Sequence, residues 1–211
     1  VVDAAGAVTI SAKDTSEINT LAIGVSGTGG GAVGVALAAN VITNSVGTRI
    51  EGTTLETGAT LDLTSESSSI IRTLAIGVSG SGGFAVQVTA MGNVIVNDTS
   101  ALISDSEVTA AGDININAND IAPTMIPLMD AVGSYITDGE TVQDLKDGLS
   151  GTPFDPTANI ISLMVSVAGT GGVAVNGAFT GNVISNSIEA LIDNSKVVSN
   201  TGIIQLDTES R

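Results

Sequence analysis

Side-chain oxygens recur at fixed places in this chain, and they are the first candidates for chemistry. Asp105, Glu107, Asp113, Asn117, Asn119 and Asp120 form one run, and Asp193, Asn194 and Asp207 belong to another. Carboxylate and amide oxygens in turns suit calcium, a hard cation that takes about six to eight oxygen ligands. Neither an EF-hand loop nor the Gly-Gly-x-Gly-x-Asp nonapeptide of calcium-binding solenoids is present. The competing reading is a solvated acidic surface that keeps a β-rich body from aggregating, and no cofactor is assigned. The acids Asp62, Glu66, Asp113 and Asp207 raise a second chemistry, the paired carboxylates of polysaccharide-cleaving β-helices. They are spread along exposed strand positions rather than clustered, with no aromatic platform beside them, so no catalytic residue is assigned and the chain is not read as an enzyme.

Composition removes other chemistries. The 211 residues include no Cys and no His, which excludes Cys–His pairs, Ser–His–Asp triads, disulfides and the usual zinc sites. Gly27-Thr28-Gly29-Gly30 is glycine-rich but lacks the P-loop lysine and any following helix pattern. Six Lys and Arg against 22 Asp and Glu give a formal charge of −16. Nucleic acid and anionic membrane surfaces need a basic footprint and are excluded as partners. No apolar run of about 18 residues is present, so no spanning helix is expected. The sequence begins at Val1 without a leader and stops at Arg211 in mid-pattern, and is expected to be a piece of a longer chain.

A third group of polar residues is periodic. Asn40, Asn93 and Asn182 precede Asn44, Asn97 and Asn186 by four positions in three repeats. Asparagine at one place in every unit suits either turn chemistry or a ladder in which each amide bonds its copy above and below. Asn97-Asp98-Thr99 matches the glycosylation sequon, whereas its counterparts at Asn44 and Asn186 do not, which favours a structural role.

The elements that carry these residues are copies of one unit. Thr20–Asn44 returns 53 positions later as Thr73–Asn97 with 17 of 25 residues identical, and more loosely as Ser162–Asn186. Its glycine turns are Gly27, Gly29 and Gly30, then Gly80, Gly82 and Gly83, then Gly169, Gly171 and Gly172. Each unit opens on an alternating strand, Val8-Thr9-Ile10-Ser11-Ala12 in the first copy. Repeats are expected over about 8–60, 61–113 and 114–202, forming one body. Strand, polar turn, strand, glycine turn, alternating strand is the grammar of a parallel β-helix. A 53-residue unit would fit two to three coils of about 18–26 residues, and the whole a rod on the order of 35–45 Å long.

Two faces differ sharply within the unit. Leu21, Ile23 and Val25 alternate with Ala22, Gly24 and Ser26, and Val33, Val35 and Leu37 alternate with Ala32, Gly34, Ala36 and Ala38. The large aliphatic side is expected to be the core. The small side is either a solvated surface or one against which something lies close. The third unit carries 36 extra residues, near Asp120–Ala158, with Met125, Met129, Val132 and Ile136 on one helical stripe. Thr141-Val142-Gln143-Asp144 opens a second short helix through Leu145 and Leu149. A small helical insertion is therefore expected at about 120–158, serving recognition or covering an edge.

The strings LAIGVSGSGGFAV, NVI-x-N and EALIDNS resemble repeats of the leukotoxin-family filamentous adhesins of Gram-negative anaerobes. SEVTAAGDININAND is similar to coil repeats of filamentous-haemagglutinin-like exoproteins of two-partner secretion. The resemblance covers most of the chain outside the insertion. It implies a secreted, surface-associated right-handed parallel β-helix and no catalytic residues. The expected function is thus the shaft of a cell-surface adhesin that projects a binding region toward a host or bacterial surface. The alternative is a self-assembling subunit of an extracellular fibre or sheath, partnered by copies of itself, and a polysaccharide-active enzyme is third.

Overall fold

The computed structural model describes residues 1–123 and 158–211. These residues form twelve strands: β1 (Val2–Ala4), β2 (Val8–Thr28), β3 (Gly31–Glu51), β4 (Thr54–Thr57), β5 (Leu61–Ser81), β6 (Phe84–Ser104), β7 (Glu107–Ala110), β8 (Ile114–Asp120), β9 (Ile160–Thr170), β10 (Val173–Asp193), β11 (Lys196–Ser199) and β12 (Ile204–Ser210). Every pairing between them is parallel. The chain is an all-β parallel solenoid of three repeats.

One repeat is one coil. Val8 pairs with Leu61 and Leu61 with Ile114, so the chain returns above itself after the whole 53-residue unit. The expectation of two to three short coils per unit is corrected. Each coil has two long sides of 21 residues and a short side of four. At about 3.3 Å per residue the long sides extend about 70 Å, while successive coils rise only about 4.8 Å. Three coils therefore make a broad thin slab about 15 Å along the stack, in place of a slender rod. Polar stretches such as Thr64-Ser65-Glu66-Ser67-Ser68-Ser69 carry no aliphatic alternation. They stay extended because neighbouring coils satisfy their backbone groups in an unbroken ladder.

The long sides face each other as two sheets, β2–β5–β8/β9–β12 and β3–β6–β10, and β1–β4–β7–β11 closes the blunt edge. At that edge aliphatic residues point inward. Leu61, Leu63, Ile103, Val108, Ile114 and Ile116 are fully buried in one cluster, continued by Ile50 and Leu55. The opposite edge is the glycine turn, where stacked coils approach closely. A Cβ on Gly82 or Gly83 would sit 2.6 or 2.5 Å from the carbonyl oxygens of Gly29 or Gly30 in the coil beside it. Thr28 closes the first turn by donating to the Gly31 carbonyl at 2.7 Å and accepting from the Gly30 amide at 3.2 Å.

Between the two edges the pattern inverts. In β2 the inward positions run Val8, Ile10, Ala12, then Thr20, Ala22, Gly24 and Ser26, with alternation unbroken. The outward positions change from Thr9, Ser11 and Lys13 to Leu21, Ile23 and Val25. Ile23 is 60% exposed and Val25 74%, whereas Ala32 and Ala36 across the slab are buried. The expected core side is thus overturned in this half. Small residues line the interior because the sheets touch there: a Cβ on Gly24 would lie 2.3 Å from the Val35 carbonyl oxygen. Large aliphatic residues cannot fit that gap and stand outside.

The third repeat is broken within its first long side. β8 ends opposite Ser67 and β9 resumes opposite Ile71, so the extra residues leave and re-enter one strand. The helical insertion expected at about 120–158 falls mainly on residues 124–157, outside the described ones.

The inversion yields opposite outcomes for neighbouring residues. Gly24→Ala, which adds one carbon to the interior, should cost about 1–3 kcal/mol. Ile23→Thr, which removes an outward aliphatic group, should stay within about 0.5 kcal/mol. Urea midpoints of the two variants check this, and a larger loss for Ile23→Thr would show that the aliphatic side is the core.

Candidate functional site

No described segment gathers the residue types of a catalytic centre, so the candidate site is the polar seam inside the slab and the apolar face outside it. Asn40, Asn93 and Asn182 lie mid-strand in β3, β6 and β10, stacked coil upon coil with their side chains inward. The Asn40 amide donates to Asn93 Oδ1 at 2.7 Å, and the Asn93 amide donates to Asn182 Oδ1 at 3.0 Å. Hydroxyls from the opposite sheet complete the seam. Thr73 donates to Asn93 Oδ1 at 2.8 Å while accepting from Asn40 at 2.8 Å, and Ser162 donates to Asn182 Oδ1 at 3.0 Å. Asn93, 0% exposed, thus has each polar atom paired, as burial requires.

The second asparagine column is less regular. The Asn44 amide donates to Asp14 at 2.7 Å and to Ser69 Oγ at 3.0 Å, and Ser69 donates to Asn97 Oδ1 at 3.1 Å. The Asn97 amide reaches both carboxylate oxygens of Asp120, at 3.3 and 3.2 Å. Asn97 is 1% exposed, so the sequon at this residue is closed to glycan attachment in the folded chain. Asn186 in the third coil is exposed. Between the two columns Ile42, Ile71 and Ile95 form a small apolar plug that separates the seams.

The glycines and the acids are also placed. Gly29, Gly30, Gly82, Gly83, Gly171 and Gly172 make the stacked turns, and Gly27, Gly80 and Gly169 end the strands before them. The hydroxyls of Thr28, Ser81 and Thr170, one in every turn, cap those bends, a role that sequence reading missed. The signal was there: the residue between Gly27 and Gly29 keeps a hydroxyl in all three copies. Asp105 and Asn194 take left-handed backbone at a blunt-edge corner above Gly52, and the Asn194 amide donates to Asp105. Asp113 Oδ1 accepts from the Ile203 amide at 2.9 Å, Asp62 accepts from Asn115 at 2.7 Å, and Glu66 pairs with Lys13 at 2.6 Å. Asp105, Asn194, Asp113, Asp62 and Glu66 thus serve corners and cross-coil bonds. Among the described residues no three acidic side chains converge as a metal site.

The charge is segregated. Residues 20–44, 73–97 and 162–186 carry no charged side chain, so the glycine-turn half of the slab is neutral and the net −16 resides elsewhere. Among the described residues no helix is long and apolar enough to cross a membrane. One long polar side chain enters the thin interior. Gln87 is fully buried, and it fits because Gly34 beside it and Gly77 across from it have no Cβ, which would lie 2.0 or 2.1 Å from its amide.

Two outcomes follow for the seam. Asn93→Ala leaves buried amide and hydroxyl partners unmatched and should cost at least about 1–3 kcal/mol, against a smaller loss for Asn182→Ala in the more exposed third coil. Equal losses in urea unfolding would sink the ladder account. Burial pushes the Asp120 carboxyl above its ordinary range, against the lowering effect of the Asn97 amide. The folded state therefore holds that proton more readily than the unfolded chain. The stability from this group rises as pH falls through its folded pKa and levels off below its unfolded one. Asp120→Asn should raise the melting temperature at pH 7 and flatten its rise toward mild acid. Melts across that pH window that overlay the wild type would contradict it.

No protein-family model, curated protein or solved structure matches the chain.

Proposed function

We propose that the chain is a structural segment of a secreted, cell-surface filamentous adhesin, in which stacked coils hold a binding region away from the cell. The observation that supports this reading most directly is the register. The second repeat returns onto the first after 53 residues without offset over 21-residue strands, and the third joins the same register around its insertion, so added repeats extend the same body. In such a solenoid each coil contacts only its neighbours, and stability grows with coil number. The interior is spent on holding coils together, through the asparagine seam and the aliphatic cluster. The repeat strings that resemble leukotoxin-family adhesins agree with a shaft role, and attachment would then be mechanical and avidity-based.

A second reading has its own support. The strands of the end coils present backbone groups that another chain can pair, and one half of the slab is sheathed in exposed aliphatic side chains. Those features suit a subunit that assembles into an extracellular fibre or sheath.

Electron microscopy of the native material together with its intact mass separates the two. The adhesin reading expects single ribbon-like filaments from a chain many times heavier than 20.8 kDa. Long regular fibres built from a subunit near that mass would replace it with self-assembly. Compact monomeric particles would sink both.

A further inference from the structure

The thin interior near the glycine turn holds three polar atoms that the seams do not use. Ser26 Oγ, Ser79 Oγ and Gln87 Oε1 are buried without a hydrogen-bond partner among the described residues. They belong to one place. Ser26 pairs with Ser79 in the β2–β5 register, and Gly34 pairs with Gln87 in the β3–β6 register. A Cβ on Gly34 would stand 2.0 Å from Gln87 Oε1 and 3.0 Å from Ser26 Oγ, so these two oxygens are at most about 5 Å apart. Because Ser26 faces Gly34, Ser79 one coil on faces Gln87. Ser79 is 1% exposed and Gln87 0%.

The nitrogen end of the Gln87 amide is paired. Its Nε2 donates to the Val88 carbonyl at 3.2 Å and to Thr89 Oγ1 at 3.4 Å. Thr89 donates to Ser166 Oγ at 3.2 Å, and Ser166 donates to Asn176. This chain of bonds ties the second coil to the third. Toward the first coil it stops at Gln87 Oε1, because the amide column of Asn176 and Gln87 ends on Gly34.

We propose that one buried water molecule binds between the first two coils, held by Ser26 Oγ, Ser79 Oγ and Gln87 Oε1. The stoichiometry fits water. The two hydroxyls need an acceptor and the amide oxygen needs a donor. A water accepts twice and donates to the third atom, which makes the three bonds usual for a buried water. Two oxygens that each bond one water at about 2.8 Å stand about 4.5 Å apart, inside the limit set at Gly34. A cation would suit the oxygens but leave both hydroxyl protons unmatched. No carboxylate lies in residues 20–44 or 73–97 to balance its charge. The water stands in for the side chain that position 34 lacks, and extends the polar bonds of the second and third coils to the first. The site is not repeated one coil on, where the serine column continues as Ala168 and Ser166 already bonds the Asn176 oxygen. It depends on neither the shaft nor the fibre reading.

A crystal structure of the chain at a resolution that shows ordered water reads the site directly. A density peak about 2.6–3.2 Å from all three oxygens is expected. No peak there, or a serine turned to bond Gln87 directly, overturns the proposal. Urea midpoints read the site in solution. A hydroxyl bonded to the water stabilises the fold, so Ser26→Ala and Ser79→Ala should each lower the midpoint. Removing a buried hydroxyl that has no partner would raise it instead. Both serines share one molecule, so the double variant should lose less than the two single shifts together. A raised midpoint in either single variant, or shifts that simply add, overturns the proposal as well.

Discussion

The parallel backbone ladder between coils is the constraint on which everything else rests. Over each 21-residue strand, every residue sits above its equivalent in the coil beside it, from Val8 on Leu61 to Thr28 on Ser81. A slip of one residue would send each inward side chain outward and break the asparagine seam, the glycine turns and the alanine-lined interior together. The side chains in turn police that register. Asn93 bonds Asn40 on one side and Asn182 on the other only when the coils are aligned. A Gly82–Gly83 turn stacks on Gly29–Gly30 only when glycine meets glycine.

The same ladder explains what was legible in the sequence. Identity at a fixed period reports stacking directly, so the repeats, the glycine turns and the parallel β class were readable from Thr20–Asn44 and its copies. The length of a coil was not, because Thr64–Ser69 carries no aliphatic alternation and Asn40–Asn44 suits turn chemistry when read alone. They are strands because neighbouring coils, which a local window does not contain, satisfy their backbones. The core side was not legible either. Alternation of Leu21, Ile23 and Val25 with Ala22, Gly24 and Ser26 defines two faces but not which one is inside. That choice depends on the separation of the opposing sheet, which the contact between Gly24 and the Val35 backbone makes too small for a branched side chain.

For the candidate site, the asparagines were nominated by spacing, and the turn-or-ladder question needed the fold to place them mid-strand. The acids were nominated by type, and type misleads in a solenoid. Asp62 with Asn115, Glu66 with Lys13, and Asp105 with Asn194 are each separated by 53 or 89 residues, a whole coil, and meet as cross-coil partners. A periodic sequence brings copies of one position together, so clusters seen along the chain disperse and clusters across repeats form. Asp113, Asn115 and Asp120 of one oxygen-rich run accordingly go to three separate partners, the Ile203 amide, Asp62 and Asn97.

An aliphatic surface around a small polar interior is costly in water, and the slab bears that cost along one half only. The blunt half carries the aliphatic cluster, in which Leu61, Leu63, Ile114 and Ile116 are fully buried. The neutral half adds ladder bonds and the seam, and its thinness forces large side chains outward. Were the exposed valines only a by-product of thinness, serine or threonine would serve as well at those positions, given the strand preference of threonine. The outward positions of the first coil are instead Val33, Val35, Leu37 and Val41, beside an equally outward Ala39 that leaves a trough. The Val33 and Val41 columns stay valine in all three coils, while the column between them changes from Leu37 to Ala90 to Phe179, so the register preserves aliphatic outward residues at some positions and leaves their size free at others.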